Sequence, residues 1–327
     1  MSNRLARVFP QAWQRQAGWL WLLWPLSCLY GAVVALRRGL YRQGLLPSWR
    51  APVPVLVIGN ISVGGSGKTP LILTLVQQLQ RQGVAVGVIS RGYGGQGPFP
   101  LWVGPDTPVQ QCGDEPRLIV DSTGVPMAVG GDRRAAIERL LQQAPQTRLI
   151  LSDDGLQHWA LQRDLEWVVV DVARGLGNRQ LLPTGFLREP VSRLQQATVI
   201  AHGTGTLLAD NPLRMGLRVL PLQPIQPGQT GAPPRPGQTV QAVAGIAHPQ
   251  RFFATVQTLG YVPVGHAFAD HHAYRPEELA GLAPLLTTGK DAVKLRPLGV
   301  SGWVVPVQAA LSRACWQVLA QQLEIGR

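Results

Sequence analysis

The strongest structural signal in the chain is the segment at residues 53–70, VPVLVIGNISVGGSGKTP. Its first six residues form a branched apolar run, which is typical of a strand buried on both faces of a parallel sheet. A glycine-rich turn follows at residues 62–69, and residues 70–82 place apolar side chains at helical spacing until Gly83 ends the helix. A strand, a glycine-rich turn and a helix in this order predict a phosphate-binding loop.

The predicted loop provides the groups that bind a nucleoside triphosphate such as ATP. Glycines allow backbone N–H groups to approach phosphate oxygens, and the N-terminus of the following helix adds a favourable dipole. We expect Lys68 to contact the β- and γ-phosphates and the Thr69 hydroxyl to bind Mg²⁺. Ser62 replaces the first glycine of the usual motif, so the strict eight-residue pattern is not met. The predicted nucleotide contacts are Ser62, Val63, Gly64, Gly65, Ser66, Gly67, Lys68 and Thr69.

A pair of carboxylates follows another apolar stretch. Residues 149–151 predict a buried strand, and Asp153 and Asp154 come soon after it. Enzymes with a phosphate-binding loop hold Mg²⁺ with a carboxylate near the phosphates. We therefore predict a metal site formed by Thr69, Asp153 and Asp154, with Asp153 as the main ligand. The alternative for one of the two aspartates is a cap on the turn that follows.

Three further polar residues are candidates for the site. Arg91 lies in SRGYGG at residues 90–95, after a second predicted strand, at the end where ligands bind in open α/β sheets. Arg188 is a second candidate phosphate contact, and a surface salt bridge is an equally good interpretation of either arginine. Asp114 lies in GDEP at residues 113–116 and could orient or deprotonate an acceptor hydroxyl. Acidic residues at a helix start are also ordinary capping groups, and this alternative stays open.

The densest polar cluster in the second half of the chain is Asp270-His271-His272. A metal pair, an acid–base dyad and plain turn polarity are the alternatives. Adjacent histidines rarely face the same metal ion, which argues against zinc. A histidine beside a carboxylate is a good proton acceptor, and the residues alone leave the dyad and turn polarity equally open.

Strands and helices alternate along the first two thirds of the chain. These elements are predicted at residues 53–58, 70–82, 84–90, 132–143, 149–151, 167–171 and 198–201. Asp132 is the predicted N-cap of its helix. This order predicts an α/β fold, with a parallel sheet of the P-loop NTPase type and helices on both faces.

A change of composition divides the chain. Residues 211–238 contain seven prolines, which indicates a linker, and a smaller α/β pattern then resumes. Its strands are predicted at residues 240–244 and 303–307, and its helices at 249–259 and 277–286. The predicted organisation is a membrane-associated helical segment at 1–50, a P-loop core at 51–210, the linker, and a smaller C-terminal α/β domain at 239–327.

The amino-terminal segment contains twenty residues without a charge, AGWLWLLWPLSCLYGAVVAL at residues 17–36. At about 1.5 Å per residue this run just spans a bilayer core of about 30 Å. Arginines flank both ends, so the positive-inside asymmetry is weak, and Pro25 and Gly31 interrupt the run. We predict an interfacial or partly inserted helix. A full span and a buried core helix are the alternatives, and the length of the run argues against a signal peptide.

The charge distribution favours an anionic partner. The first 100 residues contain ten basic residues and no acidic ones, and the net charge of the 327 residues is +12. Lipid headgroups, phosphates and nucleic acid all fit this charge. Only three of the 30 basic residues are lysines, namely Lys68, Lys290 and Lys294. The three cysteines lie at wide, unrelated spacings, which indicates neither a disulfide framework nor a zinc site.

Together these segments resemble the tetraacyldisaccharide 4′-kinases, the lipid A 4′-kinases of Gram-negative-type envelopes. The matching segments are VPVLVIGNISVGGSGKTP at 53–70, SRGYGG at 90–95, GDEP at 113–116, SDDGLQHWALQRDLEWVVVD at 152–171, LLPTGFLREP at 181–190, GIAHPQRFF at 245–253, AFADHHAY at 267–274 and KDAVKL at 290–295. They cover nearly the whole chain after residue 50. Ser62 fits this family, which carries Ser or Thr there. Gly289 departs from it, because the family usually has Glu at that position.

The resemblance implies a reaction and a place. The γ-phosphate of ATP would pass to the 4′-hydroxyl of a tetraacylated glucosamine disaccharide 1-phosphate, with Mg²⁺ as the metal. The site would lie at the cytoplasmic face of the inner membrane. Because the acceptor stays in the bilayer, an anionic lipid surface is the expected partner and nucleic acid is not. The oligomeric state stays open.

The resemblance also assigns roles to individual residues. It implies that Asp114 is the catalytic aspartate and pairs it with a histidine of the Asp-His-His segment, for which we choose His271 over His272. It also ties both candidate arginines to the site. The predicted catalytic residues are Asp114, His271, Lys68, Arg91 and Arg188.

Two other functions compete with a kinase. A membrane-bound ATPase or GTPase switch would share the sheet and the loop, although residues 288–291, TGKD, have the wrong spacing for guanine recognition. A non-enzymatic nucleic-acid binder would explain the charge but neither the loop nor the paired aspartates. The appearance of phosphate on a glycolipid, instead of acceptor-independent hydrolysis, distinguishes the kinase.

Overall fold

Strand β1 (Val55–Gly59) lies in the middle of the larger of two sheets in the computed structural model, which describes residues 2–325. The other strands are β2 (Val86–Ser90), β3 (Leu101–Trp102), β4 (Met127–Val129), β5 (Leu149–Asp153), β6 (Leu165–Asp171), β7 (Thr198–His202), β8 (Arg214–Val219), β9 (Gln223–Pro224), β10 (Thr239–Ala244), β11 (Val262–Ala267), β12 (Leu285–Thr288), β13 (Trp303–Val305) and β14 (Val307–Leu311). The α-helices are α1 (Ser2–Arg15), α2 (Trp24–Arg42), α3 (Lys68–Arg81), α4 (Val109–Cys112), α5 (Asp114–Thr123), α6 (Arg133–Gln143), α7 (Pro249–Thr258), α8 (Pro276–Leu279), α9 (Gly289–Leu295) and α10 (Arg313–Ile325).

The larger sheet has nine strands in the order β14-β8-β7-β6-β1-β5-β2-β4-β3. The seven strands from β8 to β4 are parallel, and the edge strands β14 and β3 pair antiparallel. Alternate residues of β1 pack on opposite faces, with Leu56 and Ile58 towards α3 and with Val55 and Val57 towards α6. Apolar strands buried on both faces are expected in such a sheet. The predicted α/β fold is confirmed.

The second sheet belongs to a smaller α/β unit inserted between β8 and β14. Its order is β11-β10-β12-β13-β9, and only β9 runs antiparallel. The chain leaves the larger sheet after β8 and returns as β14, which pairs antiparallel with β8. Helix α10 then places Cys315 and Leu319 in the core of the larger sheet.

This connectivity differs from the predicted division of the chain. The predicted linker at residues 211–238 contains β8 and β9, and the end of the predicted C-terminal domain at 239–327 returns to the larger sheet as β14 and α10. The prolines suggested a linker, but Arg214–Val219 lies between them without a proline and pairs on both sides, with β7 and β14. Composition alone does not show which sheet such a strand joins.

The predicted helix at residues 277–286 is wrong. Helix α8 ends at Leu279, and Leu285–Thr288 form β12 inside the second sheet. Gly281 has a φ of +75°, which an α-helix does not contain, and Pro284 lacks the N–H group that a helix needs. Elsewhere the predicted elements are present with shifted ends, and Asp132 caps α6 by accepting from the backbone of Arg134 at 2.9 Å.

Helix α2 and the 3₁₀ turn before it (Gly18–Leu23) present an apolar surface to the exterior. The exposed large side chains of this surface are Trp19, Trp21, Leu22, Trp24, Leu26, Leu29, Val33 and Leu36. The stretch Gly18–Arg42 is long and apolar enough to cross a membrane, and 11% of its most apolar part is buried. The alternative of a buried core helix is therefore wrong.

We expect Leu56→Ala to lower the free energy of unfolding by about 2–5 kcal/mol, because the shortened side chain leaves a cavity in the core. Leu56 is fully buried in β1, between β5 and β6. Leu217→Ala, at an exposed position of β8, is the matched control and should change that free energy by less than about 0.5 kcal/mol. Chemical denaturation followed by tryptophan fluorescence measures both. Equal losses in the two variants would contradict the assigned core.

Candidate active site

The predicted phosphate-binding loop at residues 62–69 leads into the N-terminus of α3. Gly64 and Gly67 have φ values of +94° and +91°, a backbone region that favours glycine. A Cβ atom on Gly67 would also lie 2.8 Å from the ring of His202, so there is no space for a side chain. Lys68 begins α3, and the first N–H groups of a helix have no partner within it. The loop therefore offers backbone donors to an anion.

Three side chains that sequence reasoning did not single out bind the carbonyl groups of this loop. The pairs are Asn60 Nδ2 with Ser62 O (2.8 Å), Arg174 Nη1 with Val63 O (2.5 Å), and His202 Nδ1 with Ser66 O (2.9 Å). Their only sequence signal is position, because Asn60 and Arg174 follow β1 and β6 and His202 ends β7. By holding the carbonyls, these side chains fix the backbone that presents the N–H groups.

Asp154 brings the two predicted phosphate-binding cations together. It accepts from Arg188 through both carboxylate oxygens, at 3.1 Å from Nη1 and 3.0 Å from Nη2. Lys68 Nζ lies 3.3 Å from Asp154 Oδ1 and donates to Asn60 Oδ1 at 3.0 Å. Burial alone would raise the pKa of Asp154, but Lys68 and Arg188 outweigh it and hold the pKa well below its usual range. Lys68 and Arg188 are therefore placed side by side.

Asp153 has the opposite environment. Its side chain is buried at the end of β5, and Ser90 Oγ donates to Asp153 Oδ2 at 3.2 Å. Asp153 Oδ1 is buried without a hydrogen-bond partner in the described part of the chain. Burial raises the pKa of Asp153, the charge of Glu115 raises it further, and Lys68 opposes both. A buried carboxylate oxygen without a partner fits a cation ligand, since buried polar groups are normally satisfied.

Asp114 and His271 form a close pair across the two units. Asp114 is the first residue of α5 and is 4% exposed, and His271 Nδ1 lies 2.9 Å from each of its carboxylate oxygens. Burial acts to raise the pKa of Asp114, but the hydrogen bond and charge of His271, with Lys290 and Lys294, outweigh it and lower the pKa. The bond to Asp114 raises the pKa of His271 against the effect of burial. The pair is therefore polarised towards carboxylate and imidazolium.

Two lysines of α9 add further contacts between the units. Lys290 is ion-paired with Glu115, and Lys294 Nζ lies 3.8 Å from Asp114 Oδ2 and 3.0 Å from Asp291 Oδ1. Burial opposes the charge of Lys290, but Glu115 and Asp114 outweigh it and raise its pKa. The smaller unit thus surrounds the start of α5 with positive charge. The sequence marked these lysines only by their rarity.

The remaining candidates lie apart from these contacts. His272 Nε2 lies 3.0 Å from Glu278 Oε2, so the histidine next to Asp114 is His271, as chosen from the sequence. Arg91 is exposed directly after β2 and makes no hydrogen bond or ion pair with another residue in the range 2–325. The structure therefore joins Lys68 with Arg188 through Asp154, and Asp114 with His271 directly. Arg91 belongs to neither group.

Comparison with known proteins decides between the candidate functions. The family model described as tetraacyldisaccharide-1-P 4′-kinase matches residues 19–324. The chain belongs to this family. Tetraacyldisaccharide 4′-kinase of Psychrobacter cryohalolentis is 47% identical, over 97% of this chain and 96% of its own length. Tetraacyldisaccharide 4′-kinase of Stutzerimonas stutzeri is also 47% identical, over 95% of this chain and 94% of its own.

A solved structure agrees with the assignment to the tetraacyldisaccharide-1-P 4′-kinase family. LpxK from Aquifex aeolicus, crystallised in complex with ATP, superposes with a TM-score of 0.78 at 26% sequence identity. The match covers 94% of this chain and 99% of that one. The predicted kinase of lipid A biosynthesis is confirmed at the level of the family, and the switch and the nucleic-acid binder are set aside. The roles of single residues in this family member stay predictions.

We expect the pKa of His271 to lie above the ordinary histidine value, because Asp114 favours its protonated form. Asp114→Asn removes the largest cause that favours the imidazolium, so burial and Lys290 are then opposed mainly by Asp270, and the pKa of His271 should fall. Glu278→Gln removes the carboxylate next to His272 instead and is the matched control. Histidine NMR titration measures all three proteins. An unchanged His271 titration in Asp114→Asn would contradict the pairing.

The same shifts give the pH dependence of stability. Because the folded pKa of His271 is raised, its contribution is complete below the unfolded pKa and is lost as the pH rises through the folded pKa. Because the folded pKa of Asp114 is lowered, its contribution is present above the unfolded pKa and is lost as the pH falls through the folded pKa. The pair therefore stabilises the contact between the units most strongly at pH values between the unfolded-state pKa of Asp114 and the unfolded-state pKa of His271.

Proposed function

We propose that this chain transfers the γ-phosphoryl group of ATP to the 4′-hydroxyl of a tetraacyldisaccharide 1-phosphate, a step of lipid A biosynthesis. The observation that carries the proposal is the position of the phosphate-binding loop and of the Asp114–His271 pair at the carboxyl ends of the parallel strands. The phosphate-binding loop follows β1. Asp114 begins α5, next to the segment that follows β2, and His271 contacts Asp114 from the smaller unit. A Cβ on Gly113 would lie 2.5 Å from Tyr93 O, so these segments are in contact. Strand β5, which ends in Asp153, lies between β1 and β2, and the charges of Lys68 and Glu115 both act on Asp153. This arrangement supports a donor site and an acceptor site on either side of the end of β5.

Lys68 and Arg188 are the proposed cations for the donor phosphates. Their shared contact with Asp154 holds both charges beside one carboxylate. Backbone N–H groups of the loop and the N-terminus of α3 add further donors. Arg91 is proposed as a further phosphate contact, because it is exposed at the end of β2. Such a site works by positioning and charge neutralisation, since phosphoryl transfer needs little covalent chemistry from the protein.

Thr69 and Asp153 are the proposed ligands of Mg²⁺. Hydroxyl and carboxylate oxygens suit this ion, and the unpartnered Oδ1 of Asp153 fits it. Asp154 was predicted as a third ligand, but its oxygens contact Arg188 and Lys68, so we assign it to holding these cations instead. The described residues contain no cluster of three or more His, Cys, Asp or Glu that could hold a metal alone. When bound, the ion neutralises charge on the phosphates.

Asp114 is the proposed acceptor of the proton from the 4′-hydroxyl. Its lowered pKa keeps the carboxylate ionised at neutral pH, so that it accepts a hydrogen bond from the hydroxyl and orients it. As the hydroxyl oxygen bonds to phosphorus and the bond to ADP breaks, the proton passes to Asp114. His271 donates to Asp114 and holds the carboxylate in place.

Asp114→Asn is expected to slow transfer by about 100-fold or more, because a positioned general base typically contributes that much. ATP affinity should stay within about twofold, since Asp114 contacts no residue of the loop in the described structure. Lys68→Ala is the comparison variant and should lose activity together with ATP affinity. Labelled phosphate appearing on a purified glycolipid acceptor measures transfer, and chelation of Mg²⁺ with EDTA should abolish it.

Three outcomes would oppose these assignments. Release of phosphate from ATP without phosphorylated glycolipid would indicate a nucleotide switch. Near wild-type turnover by Lys68→Ala would refute the donor site. A collapse of ATP affinity in Asp114→Asn, with normal transfer by the nucleotide-bound fraction, would refute the base.

We also propose that the exposed surface of α2 holds the chain on the cytoplasmic face of the inner membrane, in the interface. Because the proposed acceptor carries acyl chains, it lies in the bilayer, and an enzyme bound to the membrane surface can reach it. Arg15, Arg37 and Arg42 are exposed around the apolar surface and fit anionic headgroups. Because this surface is about as long as a bilayer is thick, a full span is the remaining alternative.

Replacing Leu22, Leu26 and Leu29 together by serine should weaken binding to anionic liposomes by at least about 100-fold, because each buried leucine contributes about 1.5 kcal/mol or more. All three side chains are more than half exposed. Leu217→Ser, an exposed leucine outside α2, is the matched control. Co-sedimentation measures binding, with oligonucleotides as a probe that should not bind. Unchanged liposome binding by the triple variant would contradict the interfacial role.

A further inference from the structure

The 181–188 loop, LLPTGFLR, contacts both the phosphate-binding loop and the amino-terminal helices. The proposed function gives these two parts of the molecule separate roles. The last residue of the 181–188 loop is Arg188, whose guanidinium lies in the active site. The backbone of the 181–188 loop pairs with the phosphate-binding loop and the residue before it. Val63 N donates to Phe186 O at 2.8 Å, and Arg188 N donates to Ile61 O at 2.7 Å. Any displacement of the 181–188 loop therefore moves groups that surround the donor phosphates.

The other side of the 181–188 loop is bound by side chains of the amino-terminal helices. These hydrogen bonds are Trp13 Nε1 to Pro183 O (2.9 Å), Ser27 Oγ to Leu181 O (3.0 Å), Ser27 Oγ to Thr184 Oγ1 (2.8 Å) and Tyr30 Oη to Arg188 O (3.0 Å). Ser27 and Thr184 are buried. Close packing accompanies the bonds, because a Cβ on Gly31 would lie 2.9 Å from Leu181 Cδ1.

Helix α2 thus has two different faces. Ser27 and Tyr30, three residues apart, lie on one face and bind the 181–188 loop. Leu26, Leu29 and Val33 are exposed on the remaining surface. Pro183 O and Arg188 O accept from no backbone N–H group within residues 2–325, whereas Leu181 O also accepts from Gly185 N at 2.9 Å. The carbonyl group of Arg188 is therefore held by a donor from α2, while its guanidinium binds Asp154.

We propose that Tyr30 and Ser27 are positioning residues for phosphoryl transfer. They hold the backbone of Arg188 and of the 181–188 loop, and through it they aim the Arg188 guanidinium at the donor phosphates. Neither residue makes a hydrogen bond to residues 62–69, Asp114 or His271 in the described structure. This role rests on the proposed kinase function, and it makes the helix that meets the membrane a structural support of the active site.

Tyr30→Phe removes the hydroxyl that binds Arg188 O and keeps the ring. We expect kcat to fall about threefold to tenfold, the effect of losing one hydrogen bond of ordinary strength. Tyr41→Phe is the matched control, since Tyr41 lies on the same helix, with its ring near Arg37, and its hydroxyl makes no hydrogen bond within the described residues. Liposome binding should be equal in both variants, which excludes detachment as the cause.

A double-mutant cycle distinguishes positioning from a merely structural contribution. Arg188→Lys keeps the charge but cannot form the two parallel bonds from separate nitrogens to both oxygens of Asp154. If Tyr30 acts through Arg188, Tyr30→Phe should have little further effect on kcat in the Arg188→Lys background, whatever its effect on thermal unfolding. Effects on kcat that multiply in the double variant would overturn the proposal, because Tyr30 would then act independently of Arg188.

The outcomes separate this proposal from the function on which it rests. If the wild-type protein phosphorylates no glycolipid, the proposed function fails and the positioning role falls with it. If the wild-type protein is active and Tyr30→Phe is as active as Tyr41→Phe, the positioning role alone is overturned. A selective loss in Tyr30→Phe that disappears in the Arg188→Lys background supports it.

Discussion

The ion pairs of Asp154 with Lys68 and Arg188 are the interaction on which the site depends. Two cations held side by side repel each other strongly where water is partly excluded, and the carboxylate between them offsets this repulsion. Asp154 has a φ of +47°, a conformation that costs a residue other than glycine about 1–3 kcal/mol. This turn separates the surroundings of two adjacent carboxylates. The cations around Asp154 lower the pKa of its carboxyl group. Burial raises the pKa of Asp153, one of whose oxygens has no hydrogen-bond partner in the described residues.

A second set of ion pairs joins the two units. Asp114 and Glu115 begin α5 in the larger unit, and His271 and Lys290 come from the smaller one. Each carboxylate thus meets a cation that lies far away in sequence. Because these groups share one small region, the charge states of Asp114 and His271 depend on how closely the two units approach each other. The positive charge on the smaller unit therefore offsets the negative charge at the start of α5.

Features that depend on residues close together in sequence could be predicted from the sequence. The phosphate-binding loop and the capped helix at Asp132 involve groups a few residues apart, and their patterns are local. The pairing of Asp114 with His271 spans 157 residues, so it came from the family resemblance and not from spacing. Asn60, Arg174 and His202 were missed because they bind backbone carbonyls, which leave no trace in a motif. The prediction of a helix at 277–286 was wrong because apolar periodicity alone cannot distinguish a helix from a short buried strand. Gly281 and Pro284 interrupt this segment.

The insertion of the smaller unit between β8 and β14 has a consequence for how the chain folds. Thr74 Oγ1 in α3 donates to Ala309 O at 3.3 Å and accepts from Ala309 N at 3.1 Å, and Trp167 Nε1 donates to Gln322 Oε1 at 2.9 Å. The larger sheet is therefore completed by segments that follow the smaller unit in sequence. Because these contacts join residues far apart in sequence, we expect the larger sheet to fold more slowly than the inserted unit. A frameshift or proteolytic cut near residue 306 would spare the smaller unit and leave the larger one without an edge strand and a covering helix.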